Sequence, residues 1–186
     1  MTGYLKVILG SMFSGKTTEL IKEYHRHIAC EFRCCFVNHK LDNQRYDSAS
    51  IAHNKLTVDV TANIKRLADI VAISHNYDVF FINEGQFFKD LYIWVDWLVN
   101  NQNKKVYVCG LDGDFERKKF GYILDIIPLC DDVVKIKALC KYCQFNEGIF
   151  THRLTGGKAQ TVVGVSNYIP LCRECFNIVN QPKVLG

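Results

Sequence analysis

Residues 10–17 read GSMFSGKT, a G-x-x-x-x-G-K-[ST] pattern suited to holding nucleotide phosphates. Glycines let backbone N–H groups curl around phosphate oxygens, and a helix that opens at the lysine adds its positive end. Gly10, Ser11, Met12, Phe13, Ser14 and Gly15 then form the cradle. Lys16 reaches the terminal phosphates and the Thr17 hydroxyl is placed to ligate Mg²⁺. ATP and Mg²⁺ are the expected cofactors. A second chemical group is acidic. In FFINEGQFFKD, Asn83 takes the end of an apolar strand and Glu84 follows it. A lone carboxylate there can take the proton of an attacking hydroxyl, or it can cap the helix that follows. A third group is built from sulfur. Cys140, Cys143, Cys172 and Cys175 form C-x2-C-x28-C-x2-C. Two short chelating turns of this kind make a closed tetrahedral thiolate site for structural Zn²⁺, with a redox pair as the alternative.

These groups need a scaffold. Lys6 to Leu9 reads as a strand entering a tight turn, and residues 17–30 as a helix, with Leu20, Ile21, Tyr24 and Ile28 on one face. Cys34 to Val37 is a second strand, followed by a long polar loop over 38–54. Ala62 to Ser74 has helical spacing. Asp78 to Ile82, Lys105 to Cys109 and Asp131 to Lys137 read as strands, and Leu91 to Asn100 as an amphipathic helix. Strands apolar on both faces, alternating with helices, predict an α/β fold with a parallel sheet covered on both sides. After residue 137 the pattern changes to short strands and glycine-rich loops around the cysteine pairs. The expected division is a nucleotide-binding domain over 1–137 and a small zinc-binding domain over 138–186.

The chain has 186 residues, 48% of them hydrophobic and 23% charged, which excludes disorder, collagen and coiled coil as descriptions of the whole. A net charge of +4 suits a small anionic ligand and gives little support to a nucleic-acid partner. No leader peptide and no apolar run of membrane-spanning length is evident, so the expectation is a cytoplasmic protein without a membrane partner. Of the nine cysteines, Cys30, Cys34, Cys35, Cys109 and Cys130 sit in or beside apolar stretches and are expected to be small buried hydrophobes.

The motifs GSMFSGKTTEL, NEGQFF, LDGDFERKKFG and the paired C-x-x-C, in this order and spacing, resemble the type II thymidine kinases from Lys6 to Phe176. The resemblance implies a P-loop NTPase-type sheet with a small C-terminal zinc-ribbon and lasso domain. It implies transfer of the γ-phosphoryl of ATP to the 5′-hydroxyl of thymidine or deoxyuridine, a homotetramer, and thymidine triphosphate as feedback inhibitor. Glu84 matches the catalytic base of that family. Met12, Leu111 and Phe115 match positions around the nucleoside, and Gln160, Thr161, Val162 and Val163, with Tyr168, match the lasso that closes over it. Family lassos read the pyrimidine largely through backbone groups. Arg45 and Arg153 match arginines assigned only weakly to the phosphates.

The chain departs from the family pattern. Ser11 replaces a proline in the phosphate loop. Asn83 replaces an aspartate, and a further family aspartate falls at Asn43, with Asp42 one residue earlier. A neutral amide attracts a hard dication less than a carboxylate does. Weaker magnesium binding is therefore expected, with Asn83→Asp raising activity at low Mg²⁺. Two other functions compete with the kinase: a non-enzymatic regulatory relative, suggested by Asn83, and a DNA-dependent ATPase that uses the zinc ribbon as a clamp.

Overall fold

The computed structural model describes residues 2–44, 50–53, 56–156, 160 and 167–181. The chain begins with β1 (Tyr4–Gly10), α1 (Lys16–Ile28) and β2 (Cys34–His39). Strands β3 (Ser50–His53) and β4 (Leu56–Asp59) form an antiparallel hairpin, and β5 (Ala62–Ile64) returns to the sheet. Then follow β6 (Val79–Ile82), α2 (Leu91–Asp96), β7 (Lys105–Gly110) and β8 (Asp132–Ile136). The main sheet is parallel, with strand order β5-β2-β6-β7-β1-β8. Because every strand runs the same way, Gly10, His39, Ile82 and Gly110 all end at one edge, where open α/β sheets place their ligands.

Alternation along the strands explains why the sheet is buried on both faces. Leu5, Val7, Val37, Phe80, Ile82 and Val106 face α2 and the tight helical turns at Leu67–Asn76 and Ile123–Leu129. Ile8, Phe36, Phe81, Tyr107 and Cys109 face α1 and the hairpin, through Leu20, Ile21, Ile51 and Val58. The exception is β8, an edge strand exposed along most of its length.

Several expectations are corrected by these contacts. Residues 62–74 are not one helix: Ala62–Ile64 pairs with Val37–His39 as the opposite edge strand, and helical turns begin only at Leu67. The Thr61 hydroxyl accepts from the Phe36 N–H at 3.0 Å, fixing that pairing. The Asp90 carboxylate accepts from the N–H groups of Leu67 and Ala68 at 3.1 and 3.0 Å, fixing where the turns start. The segment read as one loop over 38–54 holds the end of β2, a tight turn at Lys40–Gln44 and β3. The helix expected over 91–100 is present, but its last turn widens, with the Gln102 N–H reaching the Trp97 carbonyl. Cys34, Cys35 and Cys109 are buried as expected, Cys130 is half-buried, and Cys30 is exposed just beyond the end of α1.

The remaining elements are β9 (Ala138–Leu139), β10 (Glu147–Gly148), β11 (Phe150–Arg153), β12 (Tyr168–Leu171) and α3 (Arg173–Val179). Two antiparallel pairs, β9 with β10 and β11 with β12, carry a core that among the described residues comprises Cys140, Leu171, Cys172 and Phe176, with Cys143, Phe150, Ile169 and Cys175 against it. So little apolar surface needs a further cross-link to hold one conformation. Among the described residues no helix is long and apolar enough to cross a membrane.

Candidate active site

The phosphate loop lies between β1 and α1. Gly15 caps α1 in a left-handed conformation (φ 89°), which a glycine adopts without strain, and no side chain caps this helix end. Lys16 is buried, with its ammonium 2.7 Å from the Ser11 carbonyl. The Ser14 hydroxyl is buried and lacks a hydrogen-bond partner, as expected of a group awaiting a polar ligand. Phe13, also in a left-handed conformation, is 54% exposed.

The loop is tied to the small lobe. The Ser11 hydroxyl donates to the Gly148 carbonyl at 2.8 Å, and the Met12 N–H donates to Thr151 Oγ1 at 3.0 Å. The serine that replaces the expected proline thus makes a bond that proline cannot make.

At the end of β6, Asn83 is fully buried and uses both ends of its amide. Its Oδ1 accepts from the Thr17 hydroxyl at 3.3 Å and the Cys109 thiol at 3.1 Å. Its Nδ2 donates to Asn38 Oδ1 at 2.9 Å and Asp42 Oδ2 at 3.5 Å. Burial pushes the Cys109 thiol up to about 12, so it remains a proton donor. Asp42, 1% exposed, brings a carboxylate to the amide that stands where the family has an aspartate.

Glu84 adopts a left-handed backbone (φ 54°), a conformation that costs a non-glycine residue on the order of 1–3 kcal/mol and collects at functional sites. It precedes the single turn at Gly85–Phe87, yet its carboxylate makes no cap bond there. The carboxylate is instead held by Gln86, whose Nε2 donates to Glu84 Oε2 while its Oε1 accepts from the Leu111 N–H at 3.1 Å. Gly110 is required beside it, since a Cβ there would lie 2.2 Å from Gln86 Oε1. Gln86 escaped the sequence reading although it stands inside NEGQFF.

Next to this turn is a small cavity of about 20 Å³. Met12, Leu111, Phe115, Gln160 and Tyr168 line it, as the sequence led us to expect. Phe87, Phe120, Asp114 and Thr151 line it as well and were missed. Phe87 and Phe120 lie in the quoted motifs, and their rings meet edge to face at 5.7 Å. Thr161, Val162 and Val163, like Arg45, lie outside the described residues. Arg153, weakly expected at the phosphates, is buried with its guanidinium 3.6 Å from the centroid of the Phe115 ring and its Nε donating to the Thr155 carbonyl. That stack fixes one wall of the cavity.

The four cysteines of the two C-x-x-C pairs place their sulfurs within 4.8 Å of one another. Cys143 and Cys172 sulfurs lie 3.9 Å apart. Four thiolates about 2.3 Å from one zinc ion would sit about 3.8 Å from each other, so the set fits that metal and is far too wide for a disulfide. Burial opposes a charge at Cys140, but backbone N–H groups of Cys172, Cys143 and Tyr142 outweigh it and draw the thiol down. Burial and hydrogen bonding to its neighbouring thiols push Cys175 up.

A family profile described as thymidine kinase matches residues 3–176. A thymidine kinase of Variola virus is 38% identical over 175 residues, covering 94% of this chain and 97% of that protein. The cytosolic thymidine kinase of Bos taurus is 37% identical over 186 residues, covering 98% and 76%. That of Homo sapiens is 37% identical over 175 residues, covering 94% and 73%.

Proposed function

The chain belongs to the thymidine kinase family, and on that premise we propose how its residues carry the reaction. It phosphorylates thymidine. The phosphoryl group comes from ATP, whose phosphates lie in the loop from Gly10 to Thr17 with Lys16 released from the Ser11 carbonyl to meet them. The nucleoside, thymidine or deoxyuridine, occupies the cavity between Met12, Phe115 and Tyr168. The observation that carries this reading is the Glu84 carboxylate, fixed by Gln86 on a strained turn whose Phe87 lines that cavity.

Glu84 takes the proton of the 5′-hydroxyl as its oxygen bonds to the γ-phosphorus. The bond from that phosphorus to the β,γ-bridging oxygen breaks, and ADP leaves with that electron pair. Lys16 and the loop N–H groups hold the charge that builds on the transferring oxygens. The Thr17 hydroxyl and the Asn83 amide oxygen are the oxygen donors that would hold Mg²⁺ together with the ATP phosphates and water, while the Asp42 carboxylate lies nearby against the amide nitrogen. The ion supplies charge neutralisation on the phosphates when bound. The four thiolates hold a structural Zn²⁺ that orders the lobe over 138–186 and does no chemistry.

The protein acts in the cytoplasm as a homotetramer, as the likeness of its motifs to the type II thymidine kinases implies. Thymidine triphosphate inhibits by occupying the nucleoside cavity. ADP release measured with thymidine, with DNA and without an acceptor tests the function. Release that needs thymidine supports it. Release driven by DNA alone, or none despite intact ATP binding, overturns it.

Asn83→Asp is expected to leave two signatures. Asn38 can turn its amide to meet the new carboxylate, but Asp42 cannot. Without metal, the melting temperature should fall by roughly 3–6 °C, the consequence of about 1–2 kcal/mol lost at this buried contact. Mg²⁺ with ATP should restore it, and activity at low Mg²⁺ should rise. Unchanged melting and unchanged magnesium dependence would show that Asp42 and residue 83 do not share a cation.

A further inference from the structure

Asp114 is a nearly buried carboxylate in the wall of the nucleoside cavity. Its Oδ1 accepts from the N–H groups of Glu116 and Lys118, both at 2.9 Å, and so closes the turn that carries Phe115. Its other oxygen does something separate. Oδ2 accepts from Gln160 Nε2 at 2.8 Å, and the same nitrogen lies 3.5 Å from the Lys119 carbonyl oxygen. Gln160 also lines the cavity.

A side-chain amide has a donor end and an acceptor end of nearly the same shape, and its neighbours decide which way it points. A carboxylate and a backbone carbonyl are both acceptors only. Together they hold the nitrogen of Gln160 at the wall and leave its Oε1 as the group offered to a ligand. Thymine and uracil carry a donor at N3, which matches an acceptor. Cytosine carries an acceptor there, and an unpaired acceptor facing another is rejected.

We infer that Asp114 is a positioning residue that orients Gln160 so that its carbonyl oxygen favours a pyrimidine with an N3 hydrogen over one without. This rests on the nucleoside reading of the cavity and adds a side-chain selector to recognition expected largely from the lasso backbone. The selector is assembled from two segments distant in the chain, residue 114 before the small lobe and residue 160 within it.

Steady-state kinetics of the full chain with thymidine and with deoxycytidine test it. Gln160→Ala should raise KM for thymidine roughly three- to tenfold, with kcat within about twofold, the range expected for one neutral hydrogen bond. Asp114→Asn keeps the shape of the side chain and can still accept from the turn, but presents an N–H₂ to Gln160. The Gln160 amide should then invert, raising KM for thymidine and lowering the preference for thymidine over deoxycytidine by about tenfold or more. In the Gln160→Ala background the same Asp114→Asn change should shift neither value by more than about twofold. Equal effects of Asp114→Asn in both backgrounds would overturn the proposal and leave Asp114 as a turn cap only. Unaltered discrimination in Asp114→Asn would overturn it too. Tyr168→Ala is the control for the underlying reading: if it leaves KM for thymidine unchanged, the cavity is not the nucleoside site, a failure distinct from that of the selector.

Discussion

Glu84→Gln lowers kcat for thymidine phosphorylation by about 10²–10⁴-fold and leaves both KM values within about twofold. The carboxamide has the size of the carboxylate, and its oxygen can still accept from Gln86 Nε2. The turn and the cavity wall therefore persist, and what disappears is the ability to accept the 5′-hydroxyl proton. The left-handed backbone at Glu84 supports this assignment. A residue whose only task was to cap Gly85–Phe87 would hold a cap bond, and Glu84 holds none. Rapid-quench measurement of a single turnover separates this loss from slow product release. A variant with more than about one-tenth of wild-type kcat in the chemical step would remove Glu84 from the base role.

Cys172→Ser abolishes activity by a different route. Serine is as good a helix cap as any, so it preserves the bond that Cys172 makes with the Cys175 N–H at the start of α3. It does not supply the fourth thiolate. Zinc held by four thiolates contributes on the order of 10 kcal/mol to the order of its fold, far beyond what the small core around Leu171 and Phe176 provides. The variant should bind less than one zinc per chain, its lobe should become sensitive to protease, and thymidine turnover should fall below detection. Thr151, Arg153 and Tyr168 all enter the cavity region from this lobe, so the cavity loses its wall when the lobe loses its metal. Cys30→Ser, at an exposed cysteine, should change none of these quantities. A Cys172→Ser protein with full metal content and wild-type activity would refute the four-thiolate site.

What could be read from residue order alone was what is local in the chain. The strand, glycine turn and lysine of 6–17 form one continuous unit, and a C-x-x-C pair needs only its own turn. Glu84 was singled out the same way, as the carboxylate after an apolar strand. The segment 62–74 could not be read in this manner. Its apolar spacing fits a helix, but the choice between strand and helix is made by Val37 across the sheet and by Asp90 more than 20 residues later. The cavity shows the same limit. Phe87, Phe120 and Thr151 come from three separate segments, and each taken alone is an ordinary core residue. The Asp42 contact with Asn83 likewise depends on β2 and β6 lying side by side.

The bonds from Ser11 to Gly148 and from Met12 to Thr151 make the two halves of the molecule share a free energy. Ordering either side of these bonds should restrict the other, so occupancy of the cavity and of the phosphate loop is expected to be coupled. Linkage then requires reciprocity: by whatever factor the nucleoside tightens ATP, ATP tightens the nucleoside. Chelating a metal bound by four cysteines, none of them in the phosphate loop, should for the same reason weaken the affinity for ATP.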